Sequence, residues 1–273
     1  MTALRVALVQ LGYDDGESAA ERVERVVRLV RDQRGHDLVV LPELWQPTGF
    51  GYRRWDALAE PVDGPLVHTM ARAARDAGVV LHAGSWIETN GRGTDGRGLY
   101  NTSMVFGPTG ELLTVYRKIH RFGFGEGEPM LLEAGTDIVV VDLPRPVSAA
   151  ESPGVPTGLA TCYDLRFPEQ FRLLLDAGAE LLVVPAAWPA ARVEHWRLLG
   201  RARALENQCF MVQCNTAGTH ANVEMGGRSQ VVDPRGAVLA EAGTDEEVLS
   251  VEIDVDSVAK IREKFPVLAD RRL

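Results

Sequence analysis

The sequence predicts an α/β protein in which mostly apolar strands alternate with amphipathic helices. Short apolar runs such as 38–41 and 181–185 lack the polar alternation of a half-exposed strand, which is typical of strands covered on both faces. Apolar residues three and four positions apart in 23–30 and 193–207 predict helices. The alternation of strands and helices occurs in both halves of the chain and suggests two mixed sheets packed face to face with helices outside.

In the first half, capping and turn residues mark where the elements begin and end. Ser18 and Glu21 form a capping box in front of a helix that Gly35 closes, and Pro65 begins a second helix that Gly78 stops. The predicted strands of this half are 4–10, 38–41, 79–87, 100–106 and 111–116. The third and fourth of these strands are paired around a glycine-rich loop.

The second half is predicted in the same way. Pro168 begins a helix that ends at Gly178, and the helix 193–207 follows a buried strand. A last helix near 255–265 precedes Pro266, after which we expect a short C-terminal tail. The predicted strands of this half are 137–143, 158–161, 181–185, 209–215, 228–232, 237–240 and 248–253.

We predict one domain over residues 1–273, because no linker divides the sequence, although the length would allow two domains. The chain is 45% hydrophobic and 25% charged, which is ordinary for a globular protein with one substantial core. Its net charge of −9 argues against a nucleic-acid or anionic-membrane surface. The apolar start of the chain is too short for a signal peptide, and no run approaches the ~20 apolar residues of a membrane span. With three cysteines, an odd and sparse count, these features predict a cytoplasmic protein without a disulfide framework.

Some patterns have ordinary explanations. The glycines of 91–96 lead into a strand and not a helix, so they predict a hairpin loop and not a dinucleotide site. Asn101-Thr-Ser103 matches a glycosylation acceptor, but nothing in the sequence suggests secretion. Cys209 and Cys214 lie in a buried-strand pattern that favours packing, and their spacing matches no zinc site.

The third cysteine, Cys162, lies between a predicted strand and the helix that begins at Pro168. Such a turn exposes the sulfur and directs the positive end of a helix toward it, and both effects favour the thiolate. A thiolate in this position is a nucleophile. A buried cysteine that only packs is the more common case, so the other strand ends decide between the two interpretations.

Two further apolar runs end in a charge. The strand 38–41 leads to Glu43, and the strand 111–116 leads to Lys118. A charge at the end of a buried strand is costly unless it is paired or takes part in function. Because ligands gather at the carboxyl ends of strands in open α/β folds, we expect a carboxylate, an ammonium and a thiol to share one site.

These residues stand in motifs that resemble those of the nitrilase superfamily of carbon–nitrogen hydrolases. The motifs are Leu41-Pro42-Glu43, Arg117-Lys118-Ile119-His120 and Cys162-Tyr-Asp-Leu-Arg166-Phe, in the order that the family has them. The likeness extends over nearly the whole chain. It implies a four-layer α-β-β-α sandwich, and it implies a second active-site glutamate seven positions before a glycine that precedes a strand. Counting back from Gly135 selects Glu128 over Glu126.

The resemblance implies amide hydrolysis through a thioester, with no metal and no organic cofactor. In this hypothesis Glu43 takes the proton from Cys162, and the sulfur attacks the substrate carbon. Lys118 and the backbone N–H of Tyr163 stabilise the oxyanion. Ammonia leaves with a proton from Glu43, and water activated by Glu43 hydrolyses the thioester. Glu128 holds Lys118 in position and helps to orient the substrate.

The residues after the cysteine resemble the branch of omega-amidases and deaminated-glutathione amidases. In that branch the equivalents of Arg166 and His120 help to bind a substrate carboxylate. The alternatives are that Arg166 is a structural ion-pair partner and that His120 orients its loop. This chain departs from the branch in the segment 185–194, where we expect Trp188 to narrow the pocket and Arg192 to replace a missing polar contact. The predicted substrate is therefore a small aliphatic amide, with or without a carboxylate.

Other functions remain open from the sequence. A nitrilase or an N-carbamoyl amine hydrolase would use the same three residues, Glu43, Lys118 and Cys162. A non-catalytic scaffold member is expected to lose one of them, and none is lost. A cysteine protease with a histidine base lacks its sequence context here. The resemblance also implies a homodimer or a higher homo-oligomer.

Overall fold

A computed structural model describes residues 3–90, 96–145 and 153–272, and within these ranges the strands form two six-stranded mixed sheets. The first sheet has the order β14-β1-β2-β3-β4-β5, with β14 Glu247–Asp254, β1 Ala3–Gln10, β2 Leu38–Val40, β3 Val80–Thr89, β4 Leu99–Phe106 and β5 Leu112–Arg117. The second has the order β13-β12-β9-β8-β7-β6, with β13 Val238–Glu241, β12 Gln230–Val232, β9 Phe210–Cys214, β8 Leu181–Pro185, β7 Val155–Leu159 and β6 Val140–Leu143.

The helices lie outside the sheets. They are α1 Ala19–Arg31, α2 Pro65–Ala77, α3 Glu128–Leu131, α4 Pro168–Asp176, α5 Val193–Asn207 and α6 Ser257–Lys264. A short hairpin of β10 Thr219–His220 and β11 Val223–Glu224 completes the named elements. None of the helices in the described ranges is long and apolar enough to cross a membrane.

Alternating side chains build the layers. In β1, Val6 and Leu8 belong to a core between the two sheets, where they meet residues such as Val183 of β8. Ala7 and Val9 point the other way, into the core beneath α1 and α2. A third core packs α4 and α5 on the second sheet. Because successive strand residues face opposite sides, a continuous apolar run fills two cores at once. The predicted four-layer α-β-β-α sandwich is confirmed.

Local signals fixed several boundaries. Ser18 and Glu21 make the predicted capping box of α1, and Gly78 ends α2 in the left-handed conformation at φ +70°. The predicted end of α1 was too late, because the helix stops at Arg31 and Gly35 lies in the following turn. The tail after Pro266 forms a 3₁₀ turn, Val267–Asp270, whose Leu268 packs on the third core.

Several short features near the suspected site were not predicted. They include α3, the hairpin β10–β11, and a 3₁₀ helix, Cys162–Arg166, in front of α4. Each is one turn or two residues per strand, so periodicity has too few positions to reveal it. The predicted loop at 91–96 lies, for residues 91–95, outside the described residues.

Candidate active site

Three strand ends from both sheets meet at one pocket. Glu43 lies beyond the end of β2, Lys118 directly follows β5, and Cys162 lies beyond the end of β7. These side chains and Glu128 line the same pocket, which encloses about 420 Å³ including its solvent-open mouth. The fold therefore brings together the carboxylate, the ammonium and the sulfur that the strand ends predict.

Lys118 bridges two carboxylates. Its Nζ donates to Glu43 Oε1 at 2.8 Å and to the two oxygens of Glu128 at 3.0 and 2.9 Å, and all three residues are buried. Burial alone would lower the pKa of Lys118, but the negative charges of Glu128 and Glu43 raise it well above its usual range. Burial and the charge of Glu43 raise the pKa of Glu128, against the opposing effect of Lys118. The lysine is therefore charged at neutral pH.

Cys162 is the first residue of the 3₁₀ helix, and its φ of +48° is uncommon for a residue with a side chain. Asp164 holds this turn, because its Oδ2 accepts the Thr161 N–H at 2.8 Å. Non-glycine residues in this region store backbone strain, which is typical of functional sites.

The protonation of Cys162 differs from the sequence-based expectation of an exposed thiolate. The residue is only 8% exposed. Burial and the charge of Glu43 raise the pKa of the Cys162 thiol well above its usual range, although Lys118 lowers it. The prediction of an exposed thiolate is thus wrong, because the sulfur is desolvated and lies beside a carboxylate. The resting group is a thiol that needs a base.

Asp164 connects the cysteine turn to the segment after Lys118. Its buried carboxylate accepts Tyr116 Oη at 2.5 Å and the His120 N–H at 2.9 Å, and Oδ1 lies 2.8 Å from His120 Nδ1. The His120 ring also stacks on Phe167, with centroids 3.7 Å apart. His120 is not among the described residues that line the pocket. These contacts favour the alternative in which His120 orients its loop through Asp164, and its contact with substrate stays a prediction.

Two arginines lie at the same pocket. Arg166 stacks over Trp188, with Cζ 4.7 Å from the ring centroid, and Arg192 lies over Phe122 at 5.5 Å. The Trp188 indole donates to the Arg192 carbonyl at 2.7 Å, which connects the two. In the described ranges, neither guanidinium forms an ion pair with a carboxylate. The described residues therefore provide no carboxylate with which Arg166 could form the structural ion pair that was the alternative.

The electrostatics of Arg166 reflect this lack of an acidic partner. Burial, together with the like charge of Arg192, lowers the pKa of Arg166, and the neighbouring Tyr163 and Cys162 have the opposite effect. Arginine remains protonated through such shifts. Its nearest polar contact is His195 Nδ1, 3.3 Å from Nη2. The pocket therefore presents positive charge close to the buried cluster of Glu43, Lys118, Glu128 and Cys162.

Sequence comparison places this architecture in a family. The profile described as carbon–nitrogen hydrolase matches residues 5–263. The chain belongs to the carbon–nitrogen hydrolase family. The predicted resemblance is confirmed, and so is the prediction of an enzyme that hydrolyses amide carbon–nitrogen bonds.

Relatives of this carbon–nitrogen hydrolase match along nearly its whole length. The 2-oxoglutaramate amidase of Paenarthrobacter nicotinovorans is 45% identical over 269 residues, which cover 98% of this chain and 90% of the relative. The human omega-amidase NIT2 is 33% identical over 276 residues, which cover 100% and 96% of the two chains. Among solved structures, the CN-hydrolase superfamily protein XC1258 of Xanthomonas campestris, which carries an arsenic adduct in its active site, aligns with a TM-score of 0.87. It shares 31% identity, with 100% of this chain and 98% of the other covered.

The hydrolase pocket contains all but one of the residues predicted for it. Its lining includes the three motif residues with Glu128, and also Tyr163, Arg166, Trp188 and Arg192. Their roles in the reaction remain predictions. Sequence reasoning missed the aromatic walls formed by Phe50, Tyr52 and Phe122, and it missed Asn101, which bonds two of the buried carboxylates. A polar residue inside a buried strand was the available signal for Asn101.

Proposed function

We propose that this hydrolase releases ammonia from a short amide whose other end is a carboxylate, with 2-oxoglutaramate as the leading candidate. The observation that carries the proposal is the pair of guanidinium groups, Arg166 and Arg192, beside the cysteine pocket without acidic partners in the described chain. Two neighbouring cations repel each other, and a bound carboxylate removes that repulsion and can accept hydrogen bonds from both. The printed names of the relatives, 2-oxoglutaramate amidase and omega-amidase, support the same substrate class.

The first half of the proposed reaction begins with a neutral thiol. Glu43 takes the Cys162 proton as the sulfur attacks the amide carbon, because the raised pKa of the thiol prevents prior ionisation. The base is held in place on both sides: Oε1 accepts from Lys118, and Oε2 accepts the backbone N–H of Ala187 at 2.9 Å. A fixed carboxylate beside the thiol provides the orientation that proton transfer needs.

The attack converts the carbonyl oxygen into an oxyanion. Lys118 stabilises it, since its ammonium makes two contacts with Glu128 and one of these donors can turn to the oxyanion while the other two contacts remain. The backbone N–H of Tyr163 is the second donor, because the first N–H groups of a helix have no acceptor within that helix. Each such donor typically contributes about 3–4 kcal/mol to transition-state stabilisation.

The tetrahedral intermediate then collapses. The C–N bond breaks, Glu43 returns its proton to the leaving nitrogen, and ammonia departs from a thioester on Cys162. Water gives a proton to Glu43 while its oxygen attacks the thioester carbon. The C–S bond breaks, the sulfur regains the proton, and the carboxylic acid product leaves.

A substrate panel tests the proposal. It contains 2-oxoglutaramate, succinamate, a neutral aliphatic amide of similar length, a short nitrile and an N-carbamoyl amine, each followed by ammonia release. We expect kcat/KM to be highest for an amide with a distal carboxylate and to vanish in Cys162→Ala. A neutral amide, a nitrile or a carbamoyl amine as the best substrate would overturn the assignment.

Single variants locate the carboxylate contact. Arg166→Met and Arg192→Met keep an aliphatic side chain and remove one cation each. A hydrogen bond between charged groups contributes about 1.5–3 kcal/mol, so KM for the carboxylate amide should rise roughly 10- to 100-fold. Activity on the neutral amide should stay constant, and the exposed Arg235→Met is the matched control. Equal effects on both amides would contradict recognition of the carboxylate.

We also propose that the enzyme is a homodimer that acts in the cytoplasm. The outer side of α5 exposes Leu198 and Leu205 to 65% and 56%, which supports their burial by a second copy. Light scattering on the purified protein should give twice the chain mass, and a monomer at micromolar concentration would contradict the dimer.

The proposed location rests on the cysteines. All three are free, which supports a reducing compartment. Cell fractionation that recovers the protein outside the cytoplasm would contradict the location.

A further inference from the structure

We propose that Asn101 is a positioning residue that holds Glu43 and Glu128 in the arrangement that amide hydrolysis needs. Its Nδ2 donates to Oε1 of both glutamates, at 2.8 Å in each case. The inference rests on the proposed function, because it adds a residue to the same reaction. It does not depend on which amide is the best substrate.

The amide group of Asn101 duplicates the bridge made by Lys118. Lys118 Nζ contacts the same two oxygens, Glu43 Oε1 at 2.8 Å and Glu128 Oε1 at 3.0 Å. Two buried carboxylates repel each other, and a cation between them offsets that repulsion only while it stays in place. When Lys118 turns a donor toward the oxyanion, Asn101 still connects the two glutamates. The neutral amide does this without a second positive charge that would weaken the base.

The backbone of Asn101 fixes Lys118 as well. Its carbonyl accepts the Lys118 N–H at 2.9 Å, so one residue is bonded to the chain of the lysine and to both acidic partners of its side chain. Asn101 lies on β4 and pairs with Ile87 of β3. A residue on a strand that is paired on both sides is a more rigid support than a loop residue, which is what an oriented catalytic group requires.

The environment of Asn101 argues for this specific use. The residue is 3% exposed, and its Oδ1 has no hydrogen-bond partner in the described chain. Burial of an amide with an unsatisfied oxygen is unfavourable for stability. The two N–H contacts to catalytic carboxylates are the only side-chain hydrogen bonds of Asn101 within the described ranges. The Asn101 side chain thus supports the active site at the expense of local stability.

The test replaces Asn101 and compares activity with stability. Asn101→Leu keeps the size and removes both donors. On the best amide of the wild-type enzyme, we expect kcat/KM to fall about 150-fold, mostly in kcat, since two hydrogen bonds to charged acceptors are lost and each contributes about 1.5 kcal/mol or more. The acidic limb of the kcat/KM profile should move to higher pH, because a carboxylate that loses an N–H donor holds its proton more tightly.

Thr102→Val is the matched control. Thr102 is the next residue on β4, is fully buried, and donates to the carboxylate of Glu88 at 2.6 Å, outside the pocket. This variant should lower the melting temperature and leave kcat, KM and the pH profile unchanged. If Asn101 were only structural, Asn101→Leu would behave in the same way.

Asn101→Asp provides a second variant if the leucine variant does not fold. It preserves the side-chain shape, removes the N–H donors and adds a like charge, so its loss of kcat should be at least as large. A folded Asn101 variant with kcat/KM within about threefold of wild type and an unchanged pH profile would overturn the proposal. A wild-type preference for neutral amides would overturn the substrate assignment alone, since the variants are compared on whichever amide is best.

Discussion

Replacement of Glu128 by glutamine is the most direct test of how the buried charges are arranged. Glu128 Oε1 accepts from Lys118 and Asn101, and Oε2 accepts from Lys118 and the Phe122 N–H. All of these groups are donors. The NH₂ of a glutamine therefore faces two donors in either orientation, so Glu128→Gln removes two hydrogen bonds to a charged acceptor whichever way it turns.

The size of the effect follows from that count. A hydrogen bond to a charged group contributes about 1.5–3 kcal/mol, so two of them at the lower value amount to about 3 kcal/mol. The Glu128 side chain is only 5% exposed, and solvent screening therefore does not reduce the figure. At 1.36 kcal/mol for each factor of ten, kcat/KM should fall roughly 150-fold. The loss should appear in kcat, because in the proposed reaction Lys118 acts on the oxyanion and not on the ground state.

The assay is ammonia release under steady-state conditions, with thermal melting to confirm that the variant is folded. Glu126→Gln is the control, since Glu126 lies two positions earlier in the same loop and is exposed. We expect Glu126→Gln to retain wild-type kcat and KM. A folded Glu128→Gln enzyme within threefold of wild type, or an equal loss in Glu126→Gln, would refute the reasoning.

Three further predictions concern the surroundings of the cysteine. Glu43→Gln should abolish hydrolysis and lower the pKa of Cys162, because it removes a negative charge that opposes the thiolate. In a spectroscopic titration the thiolate should then appear at lower pH than in wild type. An unchanged or higher midpoint would contradict this. Asp164→Asn should reduce the free energy of unfolding by about 3 kcal/mol, because the Tyr116 hydroxyl and the backbone N–H groups of His120 and Thr161 all donate to the carboxylate. A free energy from urea unfolding within about 0.5 kcal/mol of the wild-type value, on the order of experimental error, would contradict this. Arg22→Met should reduce the free energy of unfolding by about 3–5 kcal/mol in the same assay, because the buried guanidinium donates to backbone carbonyls of the loop that follows Glu43. A loss under about 1 kcal/mol would contradict this anchoring role.

The sequence was most informative where a few neighbouring residues determine the structure. The capping box at Ser18 and Glu21, the helix between Pro65 and Gly78, and the strand 181–185 are local features, and the structure contains each of them. The strand ends at which a carboxylate, an ammonium and a thiol meet were also predictable, because apolar runs ending in a charge are visible in the chain. The fold class followed from the same runs.

Features that depend on contacts through space were not predictable in this way. The thiol of Cys162 is protonated because it is buried beside Glu43, which is remote in the chain. His120 is bonded to Asp164, 44 positions away, and Asn101 to Glu43, 58 positions away. Nothing in the local sequence shows these neighbours.

The sequence by itself thus determined the α/β class and the identity of the reactive groups, since periodicity and short motifs are properties of the chain, and the four layers followed from the family resemblance that those motifs carry. Only the tertiary structure decided which of these groups carry a proton and which polar residues support them. The physical reason is that solvation and Coulomb interactions depend on distance in space, and folding sets these distances independently of separation along the chain.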